Sequence, residues 1–386
     1  MNAPRSWLDW NATAPLGEAA RAAMIAALDA GNPSSVHADG RAARALVEKA
    51  RRQIAALCGT RAEHVVFTSG ASEAAATVLT PDWRLGRSPL RFSRLYVAAT
   101  DHPCVLSGGR FPAERVMRLG VDASGVIDLA TLEAALAGRD NADGLPLVAV
   151  HLANNETGVI QPIAEIAALV HAAGGRLIVD AVQAPGRISV DLSTLNADFL
   201  ILSAHKIGGP KGTGAIIGAS DLLMPAPLIG GGGQERGHRA GTENVAAISG
   251  FGAAADEAAR GLAHSGVMAI WREGAEAEIL RLAPDAVFHG RLAPRLPNTT
   301  YFSIPGLKAE TMQIAFDLEG VSVSAGSACS SGKVGRSPVL DAMGADADLG
   351  AIRVSIGPAT GDREMAALVA ALEKIVARRE KPARAA

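Results

Sequence analysis

The stretch RLIVDAVQAPGRISVDLSTLNADFLILSAHK (176–206) holds two short apolar runs that each end in residues able to do chemistry. RLIVD closes on Asp180, with Gln183 one turn on, and FLILSAHK closes on Ser203, His205 and Lys206. Apolar runs of about four to eight residues bounded by polar and turn residues read as buried strands. HVVFTSG (64–70), RLYVAATDH (94–102), LVAVHLANNETG (147–158) and GAIIGAS (214–220) have the same character. Between such runs lie Ala-rich amphipathic stretches, for example IAEIAALVHAAGG (163–175), whose apolar spacing and closing glycines suit a helix. Strands alternating with helices predict an α/β fold built on a mainly parallel sheet. Near residue 260 the pattern changes. Residues 251–282 are Ala- and Glu-rich with helical spacing; NTTYFSI (298–304), IRVSIG (352–357) and a final helix over 362–378 follow. That order predicts a smaller α+β domain.

The chain has 386 residues, 48% of them hydrophobic and 20% charged, enough to fill two domain cores. A net charge of −2 offers no basic face, so neither nucleic acid nor an anionic membrane is expected as a direct partner. The three cysteines, Cys58, Cys104 and Cys329, are odd in number and lack C-x-x-C spacing. They make neither a disulfide framework nor a structural zinc site, and a reduced intracellular setting fits them. The N-terminal MNAPRSWLDW lacks a charged region followed by an apolar one, and no apolar run is long enough to span a bilayer. A soluble, cytoplasmic protein is expected.

Ligands of open α/β sheets sit outside the carboxyl ends of the strands. The polar residues there therefore matter most: Asp101 and His102; Asn154, Asn155 and Glu156; Asp180 and Gln183; Ser203, His205 and Lys206. Lys206 follows a run, Phe199–Ala204, in which five of six residues are apolar. An ammonium against an apolar wall is destabilised, and the neutral amine becomes a nucleophile for aldehydes. The plain alternative is a strand-end lysine reaching water. A buried Asp180 needs a cationic partner, and the pyridinium nitrogen of pyridoxal phosphate is one. A helix N-cap or an ordinary salt bridge would also account for it.

FTSGASEAA (67–75) runs from a strand through a glycine turn into a helix, where the free N–H groups and hydroxyls around Ala71 and Ser72 suit a phosphate. IGGGGQERGHRAGTEN (229–244), with Thr242, has backbone freedom for close approach to a ligand or another chain, or is simply a surface loop. His102, held extended by Pro103, suits stacking on a planar cofactor and moving protons. Cys58 reads as a small buried hydrophobe, while Cys104 lies beside the crevice. Cys329 sits in SAGSACSSGKVG (324–335), a run without hydrophobic periodicity that reads as a mobile loop.

Together these residues resemble the cysteine desulfurases, class V members of the fold-type-I pyridoxal-phosphate enzymes. The resemblance spans LDWNATAPL (8–16), NPSSVH (32–37), FTSGASE (67–73), HLANNETGVIQPI (151–163), SAHKIGGPKGTGA (203–215), GGGQERGHRAGTEN (231–244) and GSACSSG (326–332), in order. It implies a large domain with a mainly parallel seven-stranded sheet between helices, over 15–260. A small domain would comprise 1–14 and 261–386 and carry the cysteine loop at about 324–337. It implies Lys206 as the Schiff-base lysine, Asp180 as the pyridinium partner, Gln183 at the phenolate oxygen and His102 stacked on the ring. Ala71, Ser72, Ser203 and His205 would hold the phosphate, with Thr242 reaching in from the second subunit of a homodimer. Asn155 would contact cofactor or substrate, and Arg353 would pair with the substrate carboxylate.

The implied reaction removes sulfur from L-cysteine, giving L-alanine and a persulfide on Cys329. A sulfur acceptor or iron–sulfur scaffold would then take that sulfur for cluster assembly, and Cys329 would transiently ligate a cluster. Selenocysteine lyase or cysteine sulfinate desulfinase chemistry needs no catalytic thiol, and a non-catalytic sulfur carrier would use only Cys329. These are the competing readings. Departures from the family pattern are Ala14, Ser72 (which keeps a hydroxyl), Pro103 with Cys104 after His102, and a C-terminal tail without the segment that housekeeping members use to dock a scaffold.

Overall fold

The computed structural model describes residues 5–138, 144–326 and 336–379. Cys329 and the centre of its loop therefore lie outside the described residues. Strands Ser88–Ala98, Leu145–His151, Arg176–Asp180 and Phe199–Ser203 lie side by side in that order, all parallel. Their apolar residues are buried on both faces, as continuous rather than alternating apolar runs require. Val116–Leu119 adds in parallel to the outer side of Ser88–Ala98. On the other side Gly214–Gly218 runs antiparallel to Phe199–Ser203, and Val65–Thr68 runs antiparallel to Gly214–Gly218. These seven strands form the mainly parallel sheet that the sequence predicts.

Two further short strands extend the sheet to nine: Asp82–Leu85 folds back on the start of Ser88–Ala98 and accepts Leu223–Pro225, both antiparallel. The observed strands also end earlier than the apolar-to-polar runs suggested. Val65–Thr68 stops short of Gly70 and Gly214–Gly218 short of Ser220, so the polar residues that follow sit on turns. That is what frees their side chains for a ligand.

Helices Ala38–Leu57 and Val245–Gly261 cross over one face of this sheet and bury Ala43, Val47, Ala50 and Ile54 with Val245, Ile248, Phe251 and Ala255. Gly252 sits where a Cβ would stand 2.6 Å from Ala50 Cα, so the crossing exists only because that side chain is missing. The helical region expected over 251–282 is two helices, Val245–Gly261 and Ser265–Leu282, separated by the turn Leu262–His264. The second belongs to a different core, with Met268, Ala275 and Ile279 packed among Phe302, Phe316, Ile352 and Leu372.

That second core lies under a four-stranded antiparallel sheet, ordered Val287–Phe288, Thr299–Ser303, Ile352–Ser355, Ser324–Ala325. Helices Ala309–Leu318 and Asp362–Arg379 cover it. The N-terminal strand Ser6–Trp7 pairs in parallel with Val321–Ser322, and Leu8 is buried in this core. The chain thus starts in the second unit before it builds the first.

Gly214 packs beneath the turn at Gly70: a Cβ there would stand 2.6–2.7 Å from Gly70 backbone atoms and from Leu202 O. Gly214→Ala should cost about 1–3 kcal/mol through backbone displacement. Gly274→Ala, on an open helix surface where a Cβ meets nothing, should stabilise by about 0.5–1 kcal/mol. Thermal unfolding of the two variants against wild type checks the pair.

Candidate active site

Four adjacent parallel strands end at the same side of the sheet, and a cleft of about 540 Å³ opens there. The topology alone brings His102, His151, Asp180 and Ser203 to one wall. Lys206, His205, Gln183, Asn155, Ala71, Ser72 and Arg353 also line it. Of the residues given a binding or catalytic role, Thr242 and Cys329 are absent from the lining, and of the strand-end polar residues Asp101, Asn154 and Glu156 are absent too. Thr242 is exposed on the Gly-rich segment of its own chain, and Cys329 lies outside the described residues.

Lys206 sits on the 3-10 turn Ala204–Lys206 after its strand. Its Nζ donates to the carbonyl oxygens of Asn11 (2.7 Å) and Ala12 (2.9 Å), residues of the N-terminal segment. The expected apolar wall is thus corrected: the amine is half-buried and held by two carbonyls. Asp180 is buried at the end of its strand, and Oδ1 accepts the Val182 N–H at 3.0 Å. No side-chain cation bonds this carboxyl among the described residues, and burial pushes its pKa up. A buried carboxyl that lacks a cation is a fitting partner for a pyridinium N–H. Gln183 donates through Nε2 to Asn11 O and accepts Arg187 on Oε1, which leaves one amide hydrogen for a ligand.

His102 caps the short helix Pro103–Leu106: its Nδ1 accepts the Cys104 N–H at 3.2 Å and lies 3.0 Å from Cys104 Sγ. A neutral ring with Nδ1 used as acceptor carries its proton on Nε2. At the opposite end of the cleft, helix Ala71–Val78 starts at Gly70 without any side-chain cap. Its first N–H groups and the Ser72 hydroxyl form an anion cradle. His205 contacts Thr13 Oγ1 at 2.9 Å. Burial, then Lys206 and Lys211, lower its pKa to about 4. At neutral pH it is a neutral hydrogen-bonding group. Lysine, carboxyl and open helix start thus meet what pyridoxal phosphate demands of a protein: an amine, an acid and a phosphate cradle.

Arg353 comes from the second core. It is 1% exposed, and donates to Asp9 Oδ1 (2.7 Å), Asn155 O (2.8 Å) and Ser324 Oγ (3.0 Å). Its Nε has no partner among the described residues. A guanidinium with a spare donor suits a carboxylate.

One group, His151, was not singled out from the sequence, and another, Glu156, was named there only as a strand-end polar residue without a role. His151 is buried beside the cleft with Nδ1 2.6 Å from Asp101 Oδ1, and Asp101 also accepts the N–H groups of His151 (2.8 Å) and Ala98 (2.7 Å). Its position as the last residue of a strand flanked by two strand-end acids was the available signal. Glu156 accepts the hydroxyls of Tyr301 (2.8 Å) and Ser337 (2.7 Å), and burial above all raises its pKa to about 7. Nothing local in NNETG reveals partners 145 and 181 residues away. Cys58 is buried, as expected, and its thiol is pushed up to about 12 by burial.

Comparison with known proteins agrees with this geometry. Residues 6–368 match the aminotransferase class-V family. A cysteine desulfurase of Frankia sp. is 39% identical, the alignment covering 93% of this chain and 88% of the relative. One of Cereibacter sphaeroides is 38% identical, covering 96% of each. The crystal structure of a NifS-like protein from Rickettsia africae superposes with a TM-score of 0.86 at 32% identity, covering 96% of this chain and 99% of that one.

Asp101→Ala should cost about 2–4 kcal/mol, because it strips His151 and two backbone N–H groups of their acceptor in a buried site. Asp101→Asn, which keeps one acceptor oxygen, should recover part of the loss. Denaturant unfolding of both variants checks the ordering.

Proposed function

The chain belongs to the aminotransferase class-V family, and we propose that within it the protein acts as a pyridoxal-phosphate-dependent cysteine desulfurase. The observation that carries this reading is the joint placement of Lys206, Asp180 and the uncapped helix start at Ala71 and Ser72 around one cleft, with Arg353 entering it from the second core. Curated relatives named cysteine desulfurase support the choice of reaction. Bound pyridoxal phosphate supplies an electron sink that acidifies the Cα–H of an amino acid.

The chain's own residues do the rest. Lys206 holds the cofactor through Nζ and moves the Cα proton. Asp180 keeps a proton on the pyridine nitrogen, and Gln183 donates to the phenolate oxygen. His102 would stack on the ring, with its Nε2–H taking part in proton movement. Ala71, Ser72, Ser203 and His205 hold the phosphate, and Thr242 of a second subunit completes that end in a homodimer. Arg353 clamps the carboxylate of L-cysteine, and Asn155 orients substrate and cofactor. The Cys329 thiolate attacks the substrate sulfur, the Cβ–S bond breaks, and a proton delivered to Cβ leaves L-alanine with a persulfide on the enzyme. That sulfur passes to an acceptor protein for iron–sulfur cluster assembly.

The same reading divides the chain into a large domain over 15–260 and a small one from 1–14 and 261–386. A cytoplasmic setting belongs with it, because persulfide transfer needs reduced thiols. No helix among the described residues is long and apolar enough to cross a membrane.

The deciding experiment measures L-alanine and sulfide formed from L-cysteine with a reductant, in wild type and Cys329→Ala. Wild type should turn over, and the variant should keep its yellow colour while losing at least about 100-fold in rate, as the removal of a nucleophile does. Equal rates would transfer the assignment to a thiol-independent lyase acting on selenocysteine or a sulfinate.

A further inference from the structure

We propose that Glu156 is a positioning residue for Arg353, its buried carboxyl setting how strongly the guanidinium holds the substrate carboxylate. This rests on the desulfurase reading and adds a control to its substrate end. Glu156 follows Asn155 directly, in a turn tied down by Asn154 Oδ1, which accepts the N–H groups of Glu156 and Thr157 at 2.9 Å each. From there its side chain reaches the face of the four-stranded sheet turned away from the second core, where Oε2 accepts Tyr301 and Ser337. Tyr301 is the direct cross-strand neighbour of Arg353, as is Ser324 on the other side. Directly opposed residues share one face of a sheet. The face that presents Arg353 to the cleft is therefore the face that Glu156 grips.

The fit leaves no slack. A Cβ added at Gly326 would fall 1.8 Å from Tyr301 Oη and 2.9 Å from Glu156 Oε2. Ser337, which caps helix Pro338–Ala342, is held to Oε2 from the other side. The charged and titratable groups facing Glu156 are Arg353, His102 and the Tyr301 phenol. Asp9 lies beyond, bonded to Arg353, and Arg336 next to Ser337 is paired on the surface with Asp341 and Asp348. Glu156 feels both Arg353 and His102, yet burial outweighs their attraction and lifts its pKa to about 7. Both protonation states are accordingly populated near neutral pH.

The sign follows from charge. Above the carboxyl's pKa, Glu156 adds an anion near the guanidinium and competes with the incoming substrate carboxylate. Below it, the neutral acid keeps Arg353 in place without competing. Glu156 thus acts on KM more than on kcat.

The test is steady-state alanine formation from L-cysteine by the holoenzyme between pH 6 and 8.5, in wild type, Glu156→Gln and Tyr301→Phe. Taking the wild-type to Glu156→Gln ratio of KM cancels the titration of the substrate itself. That ratio should stay near one at low pH and rise about fivefold across pH 7, with kcat ratios flat. Tyr301→Phe removes a donor that stabilises the carboxylate, so its step should move to higher pH; it carries the test alone if Glu156→Gln does not fold. Difference infrared spectra of the same holoenzymes should show a carboxyl titrating near pH 7 in wild type and absent from Glu156→Gln. A KM ratio flat with pH, or a step unmoved by Tyr301→Phe, overturns the inference. Absence of alanine from wild type, with the infrared titration intact, would instead sink the desulfurase reading.

Discussion

A guanidinium closed off from water needs acceptors, and Arg353 draws them from three separate parts of the chain while its Nε stays without one among the described residues. Asp9 comes from the N-terminal segment, Ser324 from the neighbouring strand and the Asn155 carbonyl from the turn after Leu145–His151. Arg353 is one of the side chains that join the two units, with Glu156 and its partners Tyr301 and Ser337 beside it. Removing one partner of such a buried pair typically costs about 3–5 kcal/mol, because the other is left uncompensated. Pinning Asp9 also fixes the residues after it. Asn11 donates to Thr299 Oγ1 and accepts the Asn298 amide on its Oδ1. The Asn11 and Ala12 carbonyls then hold the Lys206 amine. The position of Lys206 is thus linked, through the N-terminal segment, to the Arg353–Asp9 ion pair.

Burial opposes charge throughout this site. It raises Asp180 and Glu156, lowers His205 and brings Arg187 to about 10. Arg187 stays cationic at neutral pH, held by the Gln183 carbonyl and amide oxygens. A cleft of this kind favours ligands that bring their own compensating charges. A phosphate at an open helix start and a ring nitrogen opposite a carboxyl relieve two of these costs at once.

The sheet was legible because its central strands are fully buried: RLIVD and FLILS stay apolar along their length, and no other element type ends such runs in acid and lysine. Asp82–Leu85 and Leu223–Pro225 were not, since a three- or four-residue antiparallel pair at an edge carries no periodicity of its own. The direction of GAIIG was equally hidden, as an apolar run reads the same in either orientation. Lys206 and Asp180 stood out from local contrast between side chain and surroundings. His151 did not, and Glu156 was legible only as one of several strand-end polar residues, because their roles come from partners supplied by tertiary packing. The carbonyls under Lys206 were invisible for the same reason, backbone oxygens being common to every residue.

Strand Ser6–Trp7 and its partner Val321–Ser322 stand at opposite ends of the chain. On a ribosome adding about 5–20 residues per second, the earlier strand waits roughly 15–60 s for the later one. By the end of that interval the sheet and its strand-end residues have been synthesised, while Asn11 and Ala12 still have no anchor at Arg353. The cleft is therefore assembled in two stages, and its lysine is clamped only after the residues of the second unit have been made. A nascent chain stalled before residue 321 would hold the wall of the site without the strip that closes it.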